Sequence, residues 1–247
     1  MCTLAAYVGC WTALPLLIAA NRDEYLDRPS ADPAVISHDP WVFAGRDLHA
    51  GGTWLGVNQR GLVAGLLNRR TAALDPGRRS RGLLCLEVLQ QPDRAVAIEL
   101  LRGIDGRAYN PFNLLLADAH GADVATNWGG SMRLTPLRAG VHLLTNLELD
   151  DPTCPRISAS SQLFRATPAT LRGDPAALIA PLRRILADHR TALDPRASAP
   201  DALCVHRPAY GTRSASIIAV EASDRVRYWH ASGPPCRAEF SELILPA

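Results

Sequence analysis

The sequence predicts an α+β fold in which antiparallel sheets carry helices on their outer faces. Apolar runs of strand length occur in pairs joined by short turns, which is typical of hairpins. Helical patterns are grouped between these pairs and do not alternate with single strands, as they would in a parallel βαβ sheet. Because no internal repeat or low-complexity linker interrupts the 247 residues, we expect a single domain over residues 1–247.

The first twenty residues allow two interpretations. Residues 3–8 and 16–21 are apolar runs of strand length that would form a first hairpin. The alternative is a signal peptide cleaved after Ala20. A signal peptide has a basic leading region, which this chain lacks, and Gly9 and Pro15 interrupt the apolar stretch. The same interruptions leave no run long enough for a membrane span.

The next part of the chain predicts a loop, a hairpin and two helices. Residues 29–52 contain three prolines and little periodicity, which indicates a long ordered loop with short extended pieces. Apolar runs over 53–58 and 62–68 flank a Gly-containing turn and predict a second hairpin. A helix is expected from the cap residue Ser80 to just before Pro92, and Asp93 caps another that ends near Arg102.

The second half of the chain repeats this organisation. Alternating and apolar runs predict a third hairpin over residues 112–128 and a buried strand at 141–145. Helical periodicity returns at about 157–166 and 175–190. Three closing strands are expected near residues 214–220, 225–230 and 237–240.

Composition excludes several functional classes. The chain is 47% hydrophobic and 20% charged, as expected for a globular protein with a buried core. Arginine supplies all 26 of its Lys+Arg residues, which excludes Schiff-base lysine chemistry and a Walker P-loop. A net charge of +2 is too small to indicate a nucleic-acid partner.

Cysteine and histidine spacing predicts neither a disulfide framework nor a metal site. The six cysteines contain no C-x-x-C pair, and the seven histidines show no H-x-x-x-H or H-E-x-x-H spacing. We therefore expect reduced, mostly buried thiols and no bound metal.

Cys2 is the first candidate for chemistry. It directly follows the initiator Met, and its small side chain permits removal of Met1, which would leave a free amine beside a thiol. That amine has a reference pKa of about 7.7–8.0, so it can accept the thiol proton near neutral pH. The alternative is an ordinary buried cysteine in a strand.

A polar cluster follows the second apolar run and consists of Asn21, Arg22, Asp23 and Glu24. It could hold an ammonium or a carbonyl group, with Arg22 as a bidentate donor and an acidic neighbour as its counter-charge. The alternative is a solvated turn.

A glycine-rich segment at residues 51–56 contains Gly52, Thr53 and Trp54. Glycine permits close approach of the backbone to a ligand, and the indole could form a wall beside it. The alternative is a plain turn next to a core tryptophan.

Three later positions could bind an oxyanion or an anion. Asn68 and Asn146 each end a strand-like run, where an amide NH2 can donate to a developing oxyanion, or satisfy loop backbone instead. Arg213 opens a late strand beside Tyr210 and Thr212, and could meet an anionic or carbonyl group. Its alternative is a solvated surface turn.

These segments together resemble the NRDE-domain family, also called the transport and Golgi organisation protein 2 family. The resemblance extends in order over nearly the whole chain. Its motifs are Met1-Cys2-Thr3, residues 17–24, Arg28-Pro29, residues 51–56, Asn113-Leu114 and residues 210–213.

A more distant similarity, over residues 56–68 and 144–146, is to choloylglycine and penicillin V acylases. Those enzymes are N-terminal nucleophile hydrolases with an αββα sandwich of two antiparallel sheets flanked by helices. The similarity implies that fold here, with Cys2 as the nucleophile and Arg22 near its amine and thiol. It also implies an oxyanion site at Asn68 and Asn146. The substrate-binding candidates are then Asn21, Asp23, Glu24, Gly52, Thr53, Trp54, Tyr210, Thr212 and Arg213.

The acylases differ from this chain in one respect, because they carry an acidic residue three positions after the arginine, where this chain has Tyr25. The resemblance also bears on the N-terminus. A signal cleaved after Ala20 would remove Cys2, so the resemblance favours the hairpin and predicts a cytoplasmic protein.

Two functions are compatible with the resemblance. The first is a cysteine amidohydrolase acting on a linear amide or related acyl bond. The second is a non-catalytic protein that binds or transports haem or an acyl lipid on the same fold. The expected partner is a small amide, acyl or haem-like molecule, with no cofactor unless haem is the transported ligand. The oligomeric state is left open.

The hydrolase hypothesis makes a prediction about thiol reactivity. A free amine at Cys2 and the guanidinium of Arg22 would supply positive charge that lowers the pKa of the Cys2 thiol. Cys85 is expected to be buried on a helix face and inert.

Overall fold

The structure is a computed structural model that describes residues 2–71, 74–128, 130–170, 174–190 and 202–246. The described residues form thirteen strands, four α-helices and a short 3-10 helix at Gly106–Ala108. In chain order the elements are β1 (Thr3–Val8), β2 (Leu16–Tyr25), β3 (Ser30–His38), β4 (Trp41–Asp47), β5 (Leu55–Asn58), β6 (Val63–Asn68), α1 (Arg81–Leu89), α2 (Arg94–Arg102), β7 (Phe112–Asp118), β8 (Gly121–Trp128), β9 (Ser131–Leu137), β10 (Gly140–Leu144), α3 (Pro155–Thr170), α4 (Pro175–Leu186), β11 (Tyr210–Val220), β12 (Val226–Ala231) and β13 (Ser241–Leu243).

Contacts divide the chain into two compact units. Unit 1 comprises residues 1–27 and 139–245, and unit 2 comprises residues 28–138 with the last two residues. Each unit contains one antiparallel sheet and two helices. The α+β class with two antiparallel sheets is thereby confirmed, while the single domain over 1–247 stays a prediction.

The six-stranded sheet of unit 1 has the order β10-β1-β2-β11-β12-β13. Its two central strands come from the N-terminal hairpin, in which Val8 pairs with Leu16 and Thr3 with Asn21. All six residues of β1 and the first eight of β2 are buried, so both faces of these strands are covered. The predicted first hairpin is confirmed.

The polar motif after this hairpin differs from the prediction. β2 continues to Tyr25, so residues 21–25 belong to the strand. Asn21, Arg22 and Asp23 are buried, with exposed fractions of 1%, 6% and 4%. The solvated-turn alternative is therefore wrong.

Helices α3 and α4 cover one face of this sheet. Phe164 of α3 and Leu178 and Leu182 of α4 lie in one apolar cluster with the β1 residue Tyr7 and the β11 residue Ile217. All five side chains have no exposed surface. Burying a large apolar side chain contributes about 1.5–3 kcal/mol, so this cluster fixes the helices against the sheet.

The seven-stranded sheet of unit 2 has the order β3-β4-β5-β6-β7-β8-β9. Helix α1 buries Leu84, Cys85 and Val88 in an apolar cluster that includes Leu114 of β7 and Ala64 of β6. The hairpins predicted over residues 53–68 and 112–128 are confirmed as β5–β6 and β7–β8. Cys85 is fully buried, as predicted, and burial raises the pKa of its thiol.

Three assignments were wrong. Residues 29–52 contain two strands, β3 and β4, whose pairing has two register shifts, because pairing at the edge of the sheet satisfies a backbone that has little side-chain periodicity. The last strand lies at Ser241–Leu243, not 237–240, where it pairs with β12. β9 was not predicted, because its partly exposed edge position leaves only a weak alternation.

Among the described residues, no helix is both long and apolar enough to cross a membrane.

The helix caps of unit 2 give a paired test of the structure. The Asp93 carboxylate accepts a hydrogen bond from the Val96 N–H at 2.9 Å, whereas Ser80 precedes α1 without a side-chain capping bond. Asp93→Ala is therefore expected to lower the free energy of unfolding by about 1 kcal/mol, and Ser80→Ala by less than about 0.5 kcal/mol. Urea unfolding followed by circular dichroism measures both. Equal losses in the two variants would contradict the assignment.

Candidate active site

The topology of unit 1 collects the candidate residues at one end of its sheet. Strands β10, β1, β2 and β11 run alternately up and down, so the start of β1 lies beside the end of β10 and the second half of β2. The start of β11 reaches the same end, where Tyr210 pairs with Tyr25. We call this place the Cys2 end of the sheet. It contains Cys2, Asn21, Arg22, Asp23, Glu24, Asn146, Tyr210, Thr212 and Arg213.

A buried ion pair lies at the Cys2 end. Asp23 Oδ2 accepts a hydrogen bond from Arg156 Nη1 at 2.8 Å, and neither side chain has any exposed surface. The same Nη1 atom donates to Thr3 Oγ1 at 2.8 Å, which links the first turn of α3 to β1 and β2. A charge buried this deeply is tolerated only when it is paired and hydrogen-bonded, so the three groups depend on one another.

Asp23 also connects β2 to β11. Its Oδ1 atom accepts from Thr212 Oγ1 at 2.7 Å, and its main-chain oxygen accepts from Tyr210 Oη at 3.1 Å. Thr212 Oγ1 accepts in turn from the Val205 N–H at 2.9 Å. These contacts within the protein explain why an aspartate and a threonine occupy positions 23 and 212. Substrate binding by Asp23 and Thr212 stays a prediction.

Side chains alternate across β2 and divide its polar motif between the two faces of the sheet. Asn21 Nδ2 donates to the carbonyl oxygens of Leu186 at 2.8 Å and Leu203 at 2.9 Å, so Asn21 and Asp23 point toward the helices. Arg22 lies between them in the strand and points to the other face. Thr3 faces the helices through Arg156, so Cys2 points with Arg22.

The Cys2 thiol is partly enclosed. Its Sγ donates to the main-chain oxygen of Asp23 at 3.6 Å, and the residue is partly exposed. Burial raises the pKa of this thiol above its ordinary value, and the Asp23 carboxylate acts in the same direction. The positive charge of the amino terminus, the hydrogen bond to Asp23 and the charge of Arg22 lower the pKa without outweighing burial. The expected lowered pKa is therefore not found while Met1 is attached and the Cys2 nitrogen is an amide.

The two asparagines predicted for the oxyanion site lie in different units. Asn146 follows β10 at the Cys2 end, two residues beyond the pair of Leu4 and Leu144. Its Oδ1 atom is buried and has no hydrogen-bond partner among the described residues. Asn68 ends β6 in unit 2 and is exposed. Its role beside Cys2 stays a prediction.

The glycine-rich segment of unit 2 has contacts that explain its residue types. A Cβ added at Gly52 would lie 2.1 Å from the carbonyl carbon of Gly82, so the two backbones meet here. The Thr53 N–H donates to the Gly82 oxygen at 3.0 Å, and the Trp54 ring occupies the space where a Cβ on Gly45 would be. These contacts are the close packing between a helix start and a strand that the glycines permit. Substrate binding by Gly52, Thr53 and Trp54 stays a prediction.

A cleft of about 510 Å³ lies beside the start of β11. Arg213 lines it together with Arg207 and Arg237, and no acidic side chain is among its lining residues. Arg213 also donates to the main-chain oxygen of Leu26. Three guanidinium groups around one cleft favour an anionic ligand.

Glu24 is partly exposed, and its side chain accepts a hydrogen bond from the neighbouring Tyr25 N–H at 2.9 Å.

Arg156 is the site residue that sequence reasoning missed. It lies at the start of α3, outside every motif, and is the largest fully buried side chain among the residues that the structure describes. A signal existed in principle, since a carboxylate inside an apolar strand needs a buried cation. With 26 arginines in the chain, that requirement did not identify which one.

Solved structures with a similar architecture include an acylase, a bile acid hydrolase and an acid amidase ortholog. Penicillin V acylase from Agrobacterium tumefaciens matches with a TM-score of 0.51 and 15% identity, covering 93% of this chain and 82% of the acylase. A mutant conjugated bile acid hydrolase from Clostridium perfringens matches with a TM-score of 0.58 and 12% identity, covering 100% and 97%. The Caenorhabditis elegans N-acylethanolamine-hydrolyzing acid amidase ortholog gives 0.54 and 11%, covering 100% of both chains. The chain has the N-terminal nucleophile hydrolase fold.

Sequence comparison identifies the family. The family profile described as Transport and Golgi organisation 2 matches residues 1–232. The Transport and Golgi organization protein 2 homologs of Bos taurus and Homo sapiens are each 32% identical over 241 residues, covering 89% of this chain and 87% of theirs. The chain belongs to the Transport and Golgi organisation 2 family, as its motifs indicated.

The hydroxyl of Thr212 gives a test of the Asp23 cluster. Thr212→Val keeps the shape of the side chain and removes both the donor to Asp23 and the acceptor of the Val205 N–H. Because two buried groups lose a partner, we expect the free energy of unfolding to fall by about 2–3 kcal/mol. Thr212→Ser restores the hydroxyl and is expected to cost about 1 kcal/mol, the value of one buried methyl group. Chemical unfolding measures both, and a valine variant as stable as the serine variant would contradict the cluster.

Proposed function

We propose that this protein is an N-terminal cysteine amidohydrolase that becomes active when Met1 is removed. The observation that carries the proposal is the position of the Cys2 thiol. It lies at the end of a central strand and donates a hydrogen bond to the main-chain oxygen of Asp23. Arg22 points to the same face, and Asn146 follows the neighbouring strand. The fold shared with three amidohydrolases supports this interpretation. The substrate class is a linear amide or related acyl bond.

Removal of Met1 would change the acid–base chemistry of Cys2. With Met1 attached, the Cys2 nitrogen is an amide that cannot accept a proton, and burial keeps the thiol protonated by raising its pKa. A free α-amine with a reference pKa of about 7.7–8.0 can take the thiol proton intramolecularly. The nucleophile and its base then belong to one residue, and Arg22 adds positive charge that favours the thiolate.

The reaction would proceed in two balanced steps. The thiolate attacks the acyl carbonyl, the C–N bond breaks, and the ammonium of Cys2 gives its proton to the leaving amine. Water then attacks the thioester, passes a proton through the amine to the departing sulfur, and releases the carboxylic acid. The amide NH2 group of Asn146 would donate to the oxyanion in each step. The arginine-lined cleft favours a substrate with an anionic end.

A second candidate function is binding or transport of a haem or acyl-lipid ligand without catalysis. The raised pKa of the Cys2 thiol favours it for any chain that retains Met1, because a protonated thiol is a poor nucleophile. The curated relatives are also named for transport and Golgi organisation. The two functions are therefore separated by the fate of Met1. All six cysteines are free, which supports a reducing, cytoplasmic location for either function.

The proposal predicts that a chain starting at Cys2 differs in reactivity from one that retains Met1. Cleavage of a fusion protein can produce both forms, which intact mass distinguishes. We expect the midpoint of the pH profile for iodoacetamide alkylation of Cys2 to be lower in the Met1-free form, and Arg22→Ala to raise it again. Peptide mapping assigns the label, and Cys10→Ser serves as a matched control that leaves the profile unchanged.

Hydrolysis is the second arm of the same experiment. A series of fluorogenic N-acyl amides with increasing acyl length is expected to be cleaved by the Met1-free form and not by the Met1-bearing form or by Cys2→Ala. Identical pH profiles for the two forms, together with no cleavage of any amide, would overturn the hydrolase and favour the binding function.

A further inference from the structure

Four potential metal ligands from three separate segments of unit 1 meet at one place. They are His189 after α4, Cys204 and His206 before β11, and Cys236 after β12. One ligand atom from each residue lies within 4.8 Å of every other. Cys204 is buried, Cys236 and His206 are partly exposed, and His189 is exposed, so the cluster lies just below the surface. None of these residues belongs to the Cys2 end.

The spacing of the ligand atoms matches a tetrahedral zinc site. Zinc–sulfur bonds of about 2.3 Å and zinc–nitrogen bonds of about 2.0–2.1 Å place two sulfurs about 3.8 Å apart and a sulfur and a nitrogen about 3.6 Å apart. Cys204 Sγ and Cys236 Sγ lie 3.6 Å apart. His206 Nε2 lies 3.6 Å from Cys204 Sγ and 3.2 Å from Cys236 Sγ. Two of these three separations therefore match those that zinc imposes, and the third is shorter by about 0.4 Å.

The remaining histidine is oriented as a metal ligand would be. His189 Nδ1 lies 3.0 Å from the main-chain oxygen of Cys204, which leaves Nε2 as the ring nitrogen available to a metal. Its ring centroid lies 5.1 Å from that of His206. A metal-bound histidine typically donates its other ring N–H to a carbonyl or carboxylate, and this contact fixes the tautomer required for binding through Nε2.

Backbone contacts hold the ligand segments in place. The Cys204 N–H donates to the Asp188 oxygen at 2.9 Å, so the segments of the first two ligands are joined directly. Arg183 Nε in α4 donates to the Pro235 oxygen at 3.0 Å, beside Cys236. The ligands are thus set by packed elements at both sides of the cluster and do not depend on a single loop.

We propose that His189, Cys204, His206 and Cys236 form a structural zinc site. Two thiolates and two imidazoles are the donor set that zinc prefers, and four protein ligands leave no open position for catalysis. A disulfide between the two cysteines would bring their sulfurs to about 2.05 Å and would leave the convergence of both histidines without a role. The site shares no residue with the Cys2 end, although His206 also lines the arginine-lined cleft.

The site would stabilise the region next to Asp23. The ligand pair Cys204 and His206 brackets Val205, whose N–H donates to the same Thr212 hydroxyl that bonds to Asp23. Zinc would therefore join the end of α4 and the segment after β12 to the segment that supports the Cys2 end. The sequence expectation of no metal site rested on short spacings, whereas these ligands are separated by 15, 2 and 30 positions.

Metal content of the full chain tests the proposal. Protein expressed with added zinc and freed of loosely bound metal by gel filtration is expected to carry about one zinc per chain by plasma mass spectrometry. Replacing zinc with Co²⁺ is expected to give the visible absorption of tetrahedral cobalt with thiolate ligands. We expect the zinc content to fall at least tenfold in Cys204→Ser, Cys236→Ser and His206→Ala. The zinc content should be retained in His206→Cys and in the matched control Cys10→Ser.

Stability supplies a measurement that does not require the variants. Chelation of zinc from the wild-type chain is expected to lower its melting temperature, and added Zn²⁺ to restore it. Three results would each overturn the site. The first is wild-type protein that takes up neither Zn²⁺ nor Co²⁺, and the second is folded Cys204→Ser and Cys236→Ser variants with undiminished zinc. The third is a Cys204–Cys236 disulfide in the mass spectrum of the zinc-supplemented protein.

Discussion

A carboxylate and a guanidinium, neither with any exposed surface, meet in unit 1 where β2 approaches the first turn of α3. Asp23 and Arg156 can lie there because each pairs with the other and because Thr3 and Thr212 add further hydrogen bonds to them. Removing one partner of such a pair costs about 3–5 kcal/mol, since the other charge remains buried. The pair therefore fixes how three strands and a helix come together, which an apolar contact would do with less directional precision.

The same pair determines where the candidate nucleophile lies. Asp23 is held by its side chain, so its main-chain oxygen is held as well, and that oxygen accepts from the Cys2 thiol and from Tyr210. Alternation along β2 then directs Arg22 to the face that Cys2 occupies. The burial needed for this arrangement also raises the pKa of the thiol. A buried nucleophile gains reactivity only when a base is placed beside it, and the α-amine of a Met1-free chain would be that base.

Sequence reasoning succeeded where local pattern determines structure and did not succeed where distant residues cooperate. The hairpins at β1–β2, β5–β6 and β7–β8 were predictable because their apolar runs and turns are contiguous. The length of β2 was not, because charged residues inside a strand become favourable only once Arg156 is adjacent. The zinc ligands were missed for the same reason, since they converge through the packing of α4, β11 and β12 and no short motif contains them.

The coupling between Asp23 and Arg156 tests most directly whether the buried pair organises the Cys2 end. A double-mutant cycle of Asp23→Asn and Arg156→Gln in the free energy of unfolding measures this coupling. The partly exposed pair of Arg227 in β12 and Glu242 in β13 is the control. The account predicts a coupling energy above about 2 kcal/mol for the buried pair and below about 1 kcal/mol for the control. Additive losses for Asp23→Asn and Arg156→Gln would contradict it.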